Sequence, residues 1–347
     1  MLVSDFDYTL PRRLIAQRAV ERGASRLLVL DRRTGACTDA AIADLPAYLR
    51  PGDLLVVNDT LVYPARLIGR RDPSGGVVEC LLLERLDEER WDALMHPGQK
   101  LRIGGRVVFE GPGARLRGEI LERRFYGRRV IRLTVEEGPN LDECLDAIGH
   151  VPLPPYIERQ DDSEDRGRYQ TIYARARGSV AAPTAGLHFS EALLAALAER
   201  GVQRAAITLH VGYGTFKPVR ADRVEDHTLE AEAFEISEAA AAAVNGARDA
   251  GRRVISVGTT TTRALEAAVR MGKGRVRSVA ARTDLFIVPG FDFQVVGALL
   301  TNFHLPRSSL LMLVAAFGGR ERVLDAYREA VKREYRFYSY GDAMLVL

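Results

Sequence analysis

Two short runs near the start of the chain, Ser25 to Asp31 (SRLLVLD) and Asp53 to Asn58 (DLLVVN), are apolar between polar ends and predict strands. From Pro64 to Val135 the texture changes. Brief β-type runs at Val77–Glu84, Trp91–Met95, Arg106–Glu110, Leu116–Arg124 and Val130–Val135 are punctuated by Gly75-Gly76, Gly104-Gly105 and Gly111-Pro112-Gly113. Many short strands with such punctuation predict a small β-barrel or sandwich. Leu141–Ile148 then reads as a helix, followed by the proline-rich GHVPLPPYI (Gly149–Ile157) and a polar loop around Asp161–Arg168. Beyond it helices and strands alternate. Helices are expected at Ser190–Arg200, Ser237–Ala250, Thr260–Arg270, Arg307–Phe317 and Arg320–Tyr335, and strands at Ala205–Val211, Arg253–Val257 and Leu285–Val288. Alternation of this kind places helices on the faces of a sheet. The expected fold is therefore α/β: a layered α/β domain built from both chain ends (1–62 and 149–347), with a small β-barrel domain (63–148) inserted.

Composition changes this picture little. The 347 residues are 47% hydrophobic and 27% charged, with a formal net charge of +3, ordinary for a globular protein of this size. Three widely spaced cysteines (Cys37, Cys80, Cys144) argue against a zinc site and a disulfide framework. No secretion signal and no membrane-length apolar stretch is read, and a cytoplasmic location is expected. The charge distribution says more. Lys100 to Arg132 holds ten basic and three acidic residues, a local net of +7. Such a face attracts phosphate backbones; it is also what a solvated surface looks like in a chain with only four lysines and many arginines.

Familiar catalytic signatures are missing: no Walker A loop, no G-x-G-x-x-G after a strand, no H-E-x-x-H, no C-x-x-C and no G-x-S-x-G. Instead, polar groups load the corners between strands and helices. VAAPTAGLHFSEALLAAL (Val180–Leu197) delivers Thr184, His188 and Phe189 through a tight turn to a helix that Ser190 can cap. LHVGYGTFKPV (Leu209–Val219) carries His210, Tyr213 and Phe216 on a glycine-flexed loop. VGTTTTRALE (Val257–Glu266) sets four threonines at a helix start, where backbone N–H groups can hold a carboxylate or phosphate. LLTNFHLPRSSL (Leu299–Leu310) brings Asn302 and His304, and Asn58-Asp59-Thr60 closes an early strand. Each has a plain structural reading as a cap, a turn or a core histidine. Their recurrence at strand ends, where open α/β sheets bind ligands, points to one pocket. The aromatic tail YRFYSYGDAM reads as packing.

These segments, together with PARL (Pro64–Leu67), YQTIYA (Tyr169–Ala174) and TNFHLPRSSLLMLVAAFGG, resemble the S-adenosylmethionine:tRNA ribosyltransferase-isomerases of queuosine biosynthesis, in order and spacing, from near Leu10 onward. The resemblance implies an α/β domain and a β-barrel with a cleft between them. It implies transfer and isomerisation of the ribosyl part of S-adenosylmethionine onto 7-aminomethyl-7-deazaguanine at a tRNA wobble position, giving epoxyqueuosine-tRNA, adenine and methionine. S-adenosylmethionine is then a co-substrate; no permanent cofactor, no metal and no membrane partner is expected, and the chain is expected to act as a monomer on tRNA. His188, His210 and His304 are candidate proton-transfer groups, His188 foremost. Asp59 or Asp284 can accept the amine proton or bind the guanine-like edge. Asn58, Thr184, Phe189, Tyr213, Phe216, Thr259, Thr260, Asp284 and Asn302 are substrate-binding candidates, and Arg123, Arg124, Arg128 and Arg129 are candidates for the tRNA phosphates. Glu230, which departs from the family pattern, is given no role. The competing classes are another S-adenosylmethionine-dependent RNA-modifying enzyme, such as a methyltransferase, and a non-catalytic RNA-binding protein.

Overall fold

A computed structural model describes residues 1–216 and 219–347, and of Phe216 its backbone only, so the stacking role expected of the Phe216 ring lies outside the described residues. In chain order the first elements are β1 (Arg26–Leu30), β2 (Cys37–Ala41), α1 (Leu45–Tyr48), β3 (Leu54–Asn58) and β4 (Thr60–Val62). Next come β5 (Arg66–Asp72), β6 (Val77–Arg85), β7 (Arg90–His96), β8 (Arg106–Gly111), β9 (Ala114–Arg123) and β10 (Arg128–Glu137). The helices α2 (Leu141–Ile148) and α3 (Ser163–Arg168) lead to β11 (Ala176–Ser179), α4 (Glu191–Glu199), β12 (Gln203–Leu209), β13 (Glu232–Ile236) and α5 (Glu238–Asp249). The remainder is β14 (Val254–Val257), α6 (Thr259–Met271), β15 (Val279–Thr283), β16 (Ala298–Asn302), α7 (Ser309–Gly318), α8 (Arg320–Lys332) and β17 (Ala343–Val346).

Nine strands form one mixed sheet in the order β15-β13-β12-β3-β14-β16-β17-β1-β2. The central strands β3, β14, β16 and β17 are mostly apolar and buried at every position because both faces are covered. Leu54 and Val56 of β3 pack into a core with α5, α6, α7 and α8, whereas Leu55 and Val57 pack into a second core with α1 and α4. The two ends of the chain meet in this sheet, with β17 parallel to β1 and antiparallel to β16.

The segment between closes into a six-stranded barrel, β10-β7-β6-β5-β8-β9. Alternate residues such as Val78, Cys80 and Leu82 of β6 fill it, and α2 plugs one end with Cys144 and Leu145. Gly69 and Gly118 leave room for Phe109: a Cβ on Gly69 would lie 2.5 Å from the ring, and one on Gly118 3.1 Å.

The structure departs from the expected elements at several places, and β2, β4, β11, β13, β16 and β17 are strands the pattern did not predict. Leu285–Val288 is not a strand; the sheet edge is β15, which carries the alternating VAART. The barrel has a strand, β5, that the pattern hid, because the apolar Ile68 is exposed while one buried position is Gly69. The last two helices are shorter than expected: α7 begins at Ser309, two residues past Arg307, and α8 stops at Lys332.

Candidate active site

A cavity of about 400 Å³ lies between the barrel and the sheet. The barrel contributes Trp91 and Arg128; His210 and Tyr213 come from beyond the end of β12, Glu232 from β13 and Arg263 from α6. Tyr213 also packs against the barrel core. A second recess of about 40 Å³ shares Val211, Thr215 and Leu310 with the first. Thr184, Thr259, Thr260, Asn302 and His304 line it. Sequence-distant corners thus meet at the strand ends in two adjoining spaces.

His210 is the imidazole of the larger cavity. β12 ends because Asn58 spends its side chain on that strand: its Nδ2 donates to the Leu209 carbonyl at 2.9 Å and its Oδ1 accepts the Leu209 N–H at 3.0 Å. The chain then turns His210 toward Thr60, whose Oγ1 lies 2.9 Å from Nδ1. Thr60 Oγ1 is also 2.7 Å from Ser179 Oγ, which accepts the Val211 N–H. Nε2 has no hydrogen-bond partner among the described residues. Gly178 allows the close approach, since a Cβ there would sit 2.6 Å from the ring. Burial lowers the His210 pKa, with Asp59 and Glu235 opposing.

The other two histidines differ. His188 is buried behind the recess wall, with Nδ1 2.8 Å from Ser25 Oγ and Nε2 3.2 Å from Asn302 Nδ2. It braces Asn302, whose amide also donates to the Tyr338 carbonyl at 3.0 Å. This leaves Asn302 Oδ1 buried without a hydrogen-bond partner on the recess wall. His304 lines the recess, with Nδ1 3.3 Å from the Tyr327 hydroxyl. Burial pulls His188 down to about 4 and His304 to about 3, so both are neutral at ordinary pH.

Several expected contacts are replaced by structural ones. Asp59 is buried and saturated, accepting from Thr208 Oγ1 at 2.7 Å and Arg175 Nε at 2.5 Å, and it lines neither space. Asn58 is likewise consumed by backbone. Phe189 is fully buried, edge-on to Tyr173, and offers no face to a ligand. Asp284 is exposed and outside both linings. Arg129 is 1% exposed and donates to the carbonyls of Gly98 (2.6 Å) and Arg128 (2.7 Å), so it is an internal latch and holds no phosphate. Arg123 and Arg124 are exposed. Arg128 is shared between the buried Asp92 and Glu230.

Sequence reading missed a buried ion pair in the cavity wall. Glu232 and Arg263 are each 7% exposed, with Arg263 Nη1 donating to Glu232 Oε2 at 2.5 Å. Glu232 Oε1 accepts the Gly212 N–H at 2.8 Å, and Arg263 caps the Leu285 and Thr283 carbonyls. No local pattern in the sequence marks the pair. α6 is buried at every position from Thr259 to Val269, and an arginine inside such a helix demands a partner. Two further pairs bridge the barrel and the sheet at the rim, Arg282–Glu84 at 2.7 Å and Arg128–Glu230 at 3.2 Å. No cluster of metal-ligating side chains occurs among the described residues, and no helix there is long and apolar enough to cross a membrane.

Comparison with known proteins agrees with this architecture. A family model described as "Queuosine biosynthesis protein" matches residues 3–346. Among curated relatives, S-adenosylmethionine:tRNA ribosyltransferase-isomerases from Anaeromyxobacter sp. (strain Fw109-5) and Heliobacterium modesticaldum are 56% and 50% identical, each over 100% of this chain and 99% and 100% of their own lengths. The crystal structure of S-adenosylmethionine tRNA ribosyltransferase from Thermotoga maritima is 39% identical and superposes with a TM-score of 0.57, covering 99% of this chain and 100% of that one. With end-to-end matches to the family model and to these relatives, the chain belongs to the queuosine biosynthesis protein family.

Proposed function

We propose that this chain transfers and isomerises the ribosyl moiety of S-adenosylmethionine onto 7-aminomethyl-7-deazaguanine at the wobble position of tRNA, releasing adenine and methionine. The observation that carries this reading is the adjoining pair of spaces, one holding an imidazole with a free nitrogen and the other a helix start beside an unpartnered amide oxygen. The name shared by its curated relatives specifies the donor and the tRNA.

The recess suits the methionyl end of the donor. The N–H groups that open α6 at Thr259 and Thr260 attract its carboxylate, and Asn302 Oδ1 accepts from its ammonium group. His188 acts as a positioning residue by fixing the Asn302 amide. In the larger cavity His210 gives its Nδ1–H to Thr60, which leaves Nε2 as a proton acceptor for the carbon beside the sulfonium. Its lowered pKa keeps that nitrogen unprotonated near neutral pH. The Tyr213 ring can face the sulfonium, worth of order 0.5–2 kcal/mol for a cation on an aromatic face. Arg123, Arg124 and Arg128 face the tRNA backbone. In this reading residues 63–148 form an inserted domain, and the protein works as a cytoplasmic monomer without a resident cofactor.

Incubation with S-adenosylmethionine and tRNA bearing the aminomethyl-deazaguanine tests it. The tRNA must gain the mass of the epoxycyclopentane unit while adenine and methionine appear in equal amounts. Release of S-adenosylhomocysteine instead would make the protein a methyltransferase, and unchanged donor with bound tRNA would make it a binding protein.

A further inference from the structure

The turn joining β9 to β10 carries two adjacent aromatic side chains that nothing covers. Phe125 is 86% and Tyr126 90% exposed, the two highest values among the described large hydrophobic residues that face solvent. Burying such rings ordinarily contributes to stability, so a pair left bare at one tip marks an interaction surface. The backbone beneath is braced. Arg129 ties the Gly98–Leu101 segment to the base of the turn, and the Arg124 N–H donates to the Arg128 carbonyl at 2.9 Å. Tyr126 sits at φ 54°, a left-handed conformation that costs a non-glycine residue free energy and projects its ring from the turn.

The chemistry around the tip selects its partner. The rings border a shallow concavity to which Lys100 and Arg123 bring exposed cations, beside Arg124, which is paired with Glu122 and Asp92, and the buried Arg129; no carboxylate lines it. The tip also adjoins the candidate active site. Arg128, which lines the larger cavity, follows Tyr126 by two residues, a Cα separation of at most about 7 Å. Asp92 bridges Arg128 to Arg124 on the other side of the turn. The tip is therefore close enough to the cavity to meet nucleotides that flank one held there.

We propose that Phe125 and Tyr126 form a stacking platform for the unpaired bases flanking the reacting nucleotide, with Lys100 and Arg123 holding the intervening phosphates. Exposed aromatics beside a concavity whose own lining holds cations and no carboxylate fit single-stranded RNA, whose bases present a ring face whatever their identity. A second protein is a poor match, because two rings amid charged side chains fall far short of the roughly 800 Å² per partner that a stable interface buries. The platform rests on the tRNA reading above and adds a site to it.

The test uses a fluorescein-labelled RNA hairpin with the stem and seven-base loop of an anticodon arm, and a blunt RNA duplex of equal charge, both titrated in moderate salt without S-adenosylmethionine. Phe125→Ala/Tyr126→Ala is expected to weaken hairpin binding at least about tenfold, from stacking worth 1–3 kcal/mol per base. Duplex affinity, the salt dependence and thermal stability should stay at wild-type values, because no charge and no core contact is removed. Phe125→Tyr/Tyr126→Phe should retain hairpin affinity. Wild-type hairpin affinity in the double alanine variant, or an equal loss on hairpin and duplex, overturns the platform. Ribosyl transfer is assayed separately on the wild type. If it fails while hairpin binding still depends on the two rings, the function proposed above falls and the platform stands.

Discussion

Lowering the pH turns two buried imidazoles against the fold. His188 and His304 are 4% and 7% exposed, and burial holds them at about 4 and about 3. An unfolded histidine titrates near 6.5. Because the folded values lie below the unfolded one, the stabilisation is complete above about 6.5 and is lost as the pH falls toward the folded values. Near pH 5 the unfolded rings are almost fully protonated while the folded rings remain neutral. Each histidine therefore costs roughly 2 kcal/mol relative to pH 7.5, at 1.36 kcal/mol per unit of pKa difference traversed. Together they remove about 4 kcal/mol from a stability that is typically 5–15 kcal/mol. Urea unfolding of wild type, His188→Gln and His304→Gln at about pH 7.5 and about pH 5 measures this, with each variant expected to lose about 2 kcal/mol less on acidification than wild type. Far-UV circular dichroism follows the large sheet, whereas the single tryptophan, Trp91, reports from the barrel. Equal acid losses in all three proteins would refute the assignment of this sensitivity to these rings.

His210→Ala should lower the turnover number by about 10²- to 10⁴-fold, read as adenine release at saturating substrates. The wild-type profile should keep its acid limb below the ordinary histidine value of about 6.5, since burial depresses that pKa. Gly178→Ala, which brings a methyl group 2.6 Å from the His210 ring, should reduce turnover without removing the imidazole, and a crystal structure should show the ring displaced. Arg263→Met leaves Glu232 buried and unpaired and should cost about 3–5 kcal/mol, seen as a lower urea midpoint; adding Glu232→Gln should recover part of it. Arg123→Gln should flatten the dependence of log K on log salt for tRNA by about 0.7–0.9 with unchanged stability. Arg129→Met should do the reverse, lowering barrel stability through Trp91 fluorescence while the salt slope stays.

How much was legible depends on what each residue type commits to. Leu54–Val57 read as a strand because a run apolar on both faces has few other homes. β16 (ALLTN) and β17 (AMLV) are equally apolar and equally buried, but they sit beside a histidine-bearing turn and an aromatic tail, and no local pattern separates them from packing. Leu285–Val288 looked like a strand, yet its first carbonyl goes to the Arg263 guanidinium instead of a neighbouring strand. The gathering of strand-end corners was readable, because topology places them together. The facing of each ring was not. His188, His210 and His304 share a residue type and a place in the turns between strands and helices, and only the packing of Ser25, Thr60, Tyr327 and Asn302 decides which imidazole keeps a nitrogen toward the cavity. Glu232 and Arg263 lie 31 positions apart on different elements, a separation that conceals the pair from any local pattern.

The place of β17 has a consequence for biogenesis. Among the described residues the β1–β2 hairpin joins the large sheet through β17, so Leu27 waits for Ala343 before its outer edge is satisfied. A nascent chain therefore carries an open, apolar edge strand through nearly all of its synthesis, while the barrel, whose strands are consecutive, can close long before. Such delayed long-range pairing slows maturation and exposes the hairpin to chaperones and to mispairing. Late substitutions in Ala343–Val346 should consequently reduce the yield of folded protein more than they alter the chemistry of molecules that do mature.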